Sequence, residues 1–288
     1  MDKKTKILAI ANQKGGVGKT TTVANLAACL AAKNFLVLVI DCDYQANATT
    51  LLCGDEQLKH ATKSLTHAIK NDLSLKDVIV ATPHKNIDMV PSNHELDSLR
   101  EQLVGQPNQF SLITSLLDCP LAKKYDYIII DTHPSLDCFF QSAIAASHYF
   151  IIPIFAEADS SRGLVHQIQT INKAKKFLNP ALEFLGSLVV KYDRYSSTHQ
   201  KFEKLIREFS KENNLSIFKT IIPNSHSVAA AAAHGLPINA YKINSPANKA
   251  YIKLANEIIS ATKDKNILKT KTKKITPKDI DLEIATDL

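Results

Sequence analysis

The apolar run Ile7–Ala11 passes straight into Asn12-Gln13-Lys14-Gly15-Gly16-Val17-Gly18-Lys19-Thr20-Thr21, which opens a helical pattern over Lys19–Ala32. A strand that turns through glycines directly into a helix is the opening unit of a parallel α/β sheet, because the helix must fold back and cover the strand it left. Glycines at 15, 16 and 18 remove the Cβ atoms that would keep the backbone from wrapping an anion. The loop amides, Val17 and Thr21 included, and the free N–H groups of the helix start then converge on one centre. Lys19 supplies positive charge for outer phosphates, and the Thr20 hydroxyl stands where it can ligate Mg²⁺.

The rest of the chain continues the alternation. Further strands are expected over Phe35–Ile40, Ile87–Val90, Tyr127–Ile130, Tyr149–Ile154, Phe184–Val190 and Ile217–Ile222, several of them apolar at every position. Strands of that kind are buried on both faces. Helices are expected over Asn93–Leu103, Phe110–Leu117, Ser160–Leu178, Thr198–Ser210 and Pro246–Thr262. The pattern predicts an α/β fold, a doubly wound, mostly parallel sheet with helices on both faces, over residues 1–262. Residues 263–288 are lysine-rich and then acidic and are expected to form a flexible tail. With six residues ahead of the first strand, no separate DNA-reading domain is expected in front.

In such sheets ligands bind beyond the carboxyl ends of the strands, and aspartates stand there. Asp41 and Asp43 follow Leu36-Val-Leu-Val-Ile40, and Asp131 ends Tyr127-Ile-Ile-Ile130. An apolar strand closing on aspartate is the form that holds Mg²⁺ directly or through water.

Composition narrows the partners. No stretch approaches the roughly 18 apolar residues of a membrane span, and Ile7–Ala11 is too short for a signal peptide. The five cysteines form no CxxC pair and read as reduced cytosolic thiols. Of the net charge of +7, residues 1–159 contribute −3 and residues 160–262 contribute +8. An excess of that size in one half points to a polyanionic partner.

The glycine loop departs from the common G-x-x-x-x-G-K-T pattern: Gln13 stands at its first glycine and Lys14 follows. Lys14-Gly-Gly-Val-Gly-Lys-Thr20 resembles the deviant Walker A loop of the MinD/ParA class of P-loop ATPases. The resemblance spans roughly residues 5–262 and is nearest to ParA/Soj-type partition ATPases. Asp41-Cys-Asp43-Tyr-Gln-Ala-Asn47 resembles the family's DLDPQGN, with Tyr44 and Ala46 in place of its proline and glycine. Asp131-Thr-His-Pro-Ser-Leu-Asp137 resembles its DTPPSLD, with His133 in place of a proline. Pro153–Glu157, Lys191–Asp193 and His234–Ile238 match further family segments.

The resemblance implies an ATP- and Mg²⁺-dependent ATPase that forms a homodimer on binding ATP. Lys14 would reach the partner subunit's nucleotide as a catalytic finger beside Lys19, and Asp43 would handle the attacking water. Thr20, Asp41 and Asp131 would serve the metal, and Pro223 and Asn224 would contact the base. It further implies a cytoplasmic, nucleoid-associated partition protein that binds DNA without sequence preference and is stimulated by a ParB-like centromere-binding protein, with no membrane attachment. Asn224 and Ser227 replace two family arginines, so Arg194, Lys204 and Arg207, with the tail lysines Lys269–Lys274, are the DNA candidates. Besides a regulatory or structural protein with a silent ATPase, two alternatives stay open. One is a MinD-like or other cargo-positioning ATPase, although the tail lacks the broad apolar face of a membrane helix. The other is an iron–sulfur protein related to the nitrogenase iron protein, to which Cys138 would be relevant.

Overall fold

The structure, a computed structural model, describes residues 4–54, 63–158 and 160–263. Among these, eight strands form one sheet: β1 (Lys6–Ile10), β2 (Val37–Cys42), β3 (Val80–Ala81), β4 (Ile87–Val90), β5 (Tyr127–Thr132), β6 (Tyr149–Ile154), β7 (Glu183–Tyr192) and β8 (Ile217–Pro223). Their order is β3-β4-β2-β5-β1-β6-β7-β8. All pairings are parallel except that of the short edge strand β3 with β4.

Twelve helices accompany the sheet among the described residues: α1 (Lys19–Ala31), α2 (Asn47–Cys53), α3 (Leu65–Lys70), α4 (Leu75–Val78), α5 (Glu95–Leu103), α6 (Leu112–Leu117), α7 (Cys138–Ala146), α8 (Ser160–Leu178), α9 (Ser197–Glu212), α10 (His226–Ala233), α11 (Ile238–Tyr241) and α12 (Pro246–Lys263). The period-2 alternation of β5 shows how they divide. Tyr127 and Ile129 join a core with α1, α2 and α12, while Ile128 and Ile130 join a second core with α3 to α7. A third core places α8 and α9 against β6 and β7. Burying such an isoleucine is worth about 1.5–3 kcal/mol, so these doubly covered strands anchor the fold.

The expected strands appear within one to two residues of their bounds. The helices expected from Asn93 and Phe110 start two residues later, at Glu95 and Leu112. Helix α7 was not anticipated, because its sequence CFFQSAIAA carries no charged residue and so no polar face to reveal a helical period. The expected tail lies, apart from Lys263, outside the described residues, as do Lys269–Lys274.

Candidate functional site

Register brings the candidate residues together. Ile10 at the end of β1 and Asp41 at the end of β2 both pair with Asp131 on β5. The glycine loop and both strand-end aspartates therefore emerge side by side at the carboxyl edge of three adjacent parallel strands.

Gly16 and Gly18 have φ of +71° and +77°, a left-handed conformation that a side chain would strain. Helix α1 starts at Lys19 with no side-chain cap and no acidic residue in its first turn. Its free amides and positive dipole end are thus available to an anion. Asparagine and glutamine side chains shape the loop from within: Asn12 Oδ1 accepts from the Lys14 amide at 2.9 Å, and Gln167 Oε1 accepts from the Gln13 amide at 3.1 Å. Lys191, which the sequence places in a family segment but not at this loop, donates through Nζ to the Gly16 carbonyl at 2.9 Å, from a backbone φ of +51°. Contacts of this kind between distant residues leave no spacing signal in a sequence.

The two lysines of the loop differ in setting. Lys19 is only 6% exposed and lies in the field of Asp131 and Asp43. Desolvation lowers its pKa and those two carboxylates oppose the shift. Lys14 instead points to the surface, where Nζ meets Glu157 Oε2 at 2.8 Å and lies 5.1 Å from the centre of the Phe155 ring.

The three aspartates are equally distinct. Asp41, fully buried, accepts from the Thr49 amide (2.9 Å), the Thr49 hydroxyl (2.8 Å) and the Asp43 amide (3.1 Å). It thereby pins the start of α2 to the end of β2. Desolvation raises its pKa to about 6 against those hydrogen bonds. Asp43 turns its own loop by accepting from the Gln45 amide at 2.9 Å. Asp131 is also fully buried, yet neither of its oxygens has a hydrogen-bond partner of normal geometry. Burial and Asp41 push its pKa well up, and the looser Thr20 hydroxyl and Lys19 favour its ionised form. An unpartnered buried carboxylate costs several kcal/mol unless a cation or proton neutralises it, so Asp131 and Thr20 fit a divalent cation. Among the described residues no group of three His, Cys, Asp or Glu side chains could hold a metal by themselves. That suits Mg²⁺, which takes one or two protein oxygens and completes its shell with phosphates and water.

These features recur in known proteins. The AAA domain family model matches residues 5–184. The chromosome partitioning protein ParA of Myxococcus xanthus is 36% identical over 256 residues, 88% of either chain. The chain belongs to the ParA family. It is an ATP-hydrolysing enzyme with ATP and Mg²⁺ as its cofactors. A plasmid partition protein from Borrelia burgdorferi, solved with AMPPNP, superposes with a TM-score of 0.72 at 28% identity, over 89% of this chain and 99% of that one. Cobyrinic acid a,c-diamide synthase from Mycobacterium smegmatis, solved with an ATP analogue and magnesium, gives 0.77 at 26% identity, over 90% and 96%.

The C-terminal candidates are spread more widely. Pro223 ends β8 and the Asn224 amide donates to Tyr192 O at 2.8 Å. Both line a cleft of about 1140 Å³ together with Arg194, Lys219, Lys249 and Lys253. Arg207 is turned elsewhere, bound to Glu203 and to the Phe218 carbonyl (3.2 Å), and Lys204 lies 3.9 Å from Glu208 on the exposed side of α9. No described helix is long and apolar enough to cross a membrane. Burial pushes the Cys138 thiol up to about 11.

Proposed function

We propose that the chain is an ATP-switched partition ATPase: ATP drives a homodimer with both nucleotides at its interface, the dimer binds DNA without sequence preference, and a ParB-like centromere-binding protein stimulates hydrolysis. The observation that carries the reading is the division between the two loop lysines. Lys19 faces the buried carboxylates of its own subunit, whereas Lys14 lies over the Phe155 ring and forms an exposed ion pair with Glu157. Their side chains are 55% and 50% exposed, and ion pairs so exposed are worth about 0–1 kcal/mol. Lys14 can therefore leave Glu157 at little cost for a phosphate presented across an interface, and a charge that arrives only on assembly makes hydrolysis conditional on the dimer.

Within each subunit the loop amides, Val17, Thr21 and Lys19 hold the phosphates, and Pro223 and Asn224 contact the base. Thr20 and Asp131 would hold Mg²⁺, which would screen the phosphate charge, and Asp41 would serve the metal through its hold on the Asp43 loop. Asp43 orients the attacking water. The lysines of the cleft and Arg194, together with Lys204 on the exposed side of α9, meet DNA phosphates, while Arg207 braces β8. The Borrelia relative's description as a plasmid partition protein and the ParA relatives support this reading over a cargo-positioning one.

The test is Asp43→Ala sized with ATP and Mg²⁺ and then mixed with DNA. The expected product is a stable ATP-bound dimer that has lost hydrolysis and retains DNA. A monomer that hydrolyses normally removes Asp43 from the mechanism, and a dimer that ignores DNA at low salt but binds lipid vesicles favours the MinD-like alternative.

A further inference from the structure

Two of the positions at which this chain departs from its family meet in space. Tyr44 follows Asp43 in the loop after β2, and His133 lies two residues beyond Asp131 in the loop after β5. Their rings face each other with centroids 4.5 Å apart and planes tilted by 35°, within the range of favourable aromatic contacts. Both are half-buried, and Tyr44 also packs against the core formed with α3 to α7.

The contact continues along each loop. His133 Nδ1 lies 3.0 Å from the Ser135 hydroxyl, which in turn donates to Asp137 Oδ2. Asp137 Oδ1 caps α7 by accepting from the Phe140 amide at 2.9 Å. The imidazole is thus held from the α7 side. On the other side, Tyr44 sits inside the turn that closes with the Ala46 amide on the Asp43 carbonyl at 2.9 Å. A proline would stiffen each loop by fixing its own φ. Tyrosine and histidine at these places leave each loop's φ free and join the two loops to one another.

We propose that Tyr44 and His133 are a positioning pair: their ring contact fixes the Asp43 loop against the loop that follows Asp131 and so sets the distance between the carboxylate that handles water and the carboxylate that faces the metal. The ring contact joins the loops after β2 and β5, so the pair acts on the chemical step and leaves nucleotide affinity alone. It rests on the reading of Asp43 as the residue that handles water.

The chain has no tryptophan, so Tyr44→Trp places a single indole in the contact. Its emission is expected to rise clearly when His133→Ala is added, because the imidazole no longer quenches it. Equal emission in the two backgrounds overturns the contact, independently of activity. In full-length protein with Mg²⁺, Tyr44→Leu and His133→Ala are each expected to lower kcat for ATP about tenfold, with affinity for a fluorescent ATP analogue and Tm close to the parent. The double variant is expected to be no slower than the singles, since both remove one interaction, and Tyr44→Phe should restore the parent rate. Additive losses, or losses that track affinity and Tm, overturn the proposal in favour of a merely structural role. Asp43→Ala measured alongside separates the two levels: parent-like turnover there removes the reading beneath, whereas an inactive Asp43→Ala with parent-like Tyr44→Leu and His133→Ala removes only the pair.

Discussion

The carboxyl edge of β1, β2 and β5 and the cleft beside β8 carry charge in opposite ways. At the first, Asp41, Asp131 and Lys19 are buried; strand register places the two aspartates side by side, and Thr49 at the start of α2 fixes Asp41. At the second, Arg194, Lys219, Lys249 and Lys253 are exposed around an open cleft. Buried charge acts in a low effective dielectric, where moving a group by an ångström changes its energy greatly. Exposed lysines act additively, through the number of phosphates they neutralise. The first region should therefore fail sharply when a single residue changes, and the second should weaken in steps.

The largest expected effect lies at the first region. Lys14→Ala should leave ATP affinity within a few-fold of the parent and lower hydrolysis by roughly 10³-fold or more, with loss of the ATP-dependent dimer, as for a finger supplied in trans. Turnover and sizing with ATP and Mg²⁺ check both halves of that statement. Lys19→Ala should instead abolish nucleotide binding itself, seen by equilibrium binding of a fluorescent ATP analogue. If the two variants behave alike, the distinction between the buried and the exposed lysine falls.

A comparable total effect at the second region should arise gradually. With about six phosphate contacts per dimer, DNA affinity should fall on the order of a thousandfold between about 50 and 200 mM salt. Lys249→Ala and Lys253→Ala together should lower the log–log salt slope by about 2 per subunit if both meet phosphates, at roughly 0.9 per contact. Arg207→Ala should leave the slope nearly unchanged, since its guanidinium is already bound to Glu203 and the Phe218 carbonyl. A steep loss from one lysine alone would mean that this region, too, works by fixed geometry.

The smallest effect sharpens the first region from its backbone. Ala46, fully buried, has a φ of +52°, a left-handed conformation that costs a residue with a Cβ about 1–2 kcal/mol. Ala46→Gly should relieve that strain but loosen the unfolded chain, for a net gain of up to about 1 kcal/mol in a denaturant titration. A loss of stability would show that the Ala46 methyl packs well enough to outweigh its strain.

Most of the first region could be read from the chain. The phosphate loop is contiguous, its glycines and lysines stand at fixed spacings, and Asp41, Asp43 and Asp131 directly follow apolar strands. The strands themselves were legible because burial on both faces demands unbroken apolar runs such as Tyr127–Ile130. Helix α7 was not, since its sequence carries no charged residue to mark a polar face. The second region was legible as a charge imbalance and, through the family resemblance, in Arg194, Pro223 and Asn224, but neither says that Arg207 is bound by its neighbours while Lys249 and Lys253 line a cleft with Arg194.

The local order of residues thus determined the sheet, the phosphate loop and the identity of its charged groups, because strand burial and anion binding by glycine loops depend on neighbours in the chain. Tertiary structure alone decided which of those groups are satisfied. Thr49, brought alongside by α2, occupies Oδ2 of Asp41 and the Asp43 amide its Oδ1, whereas the oxygens of Asp131 are left for a cation. Glu157, 143 residues away in sequence, holds Lys14 at the surface. His133 meets Tyr44 only because β2 and β5 lie side by side. Hydrogen bonds and ring contacts act over a few ångströms of space, and it was the order of the strands in the sheet that set those distances.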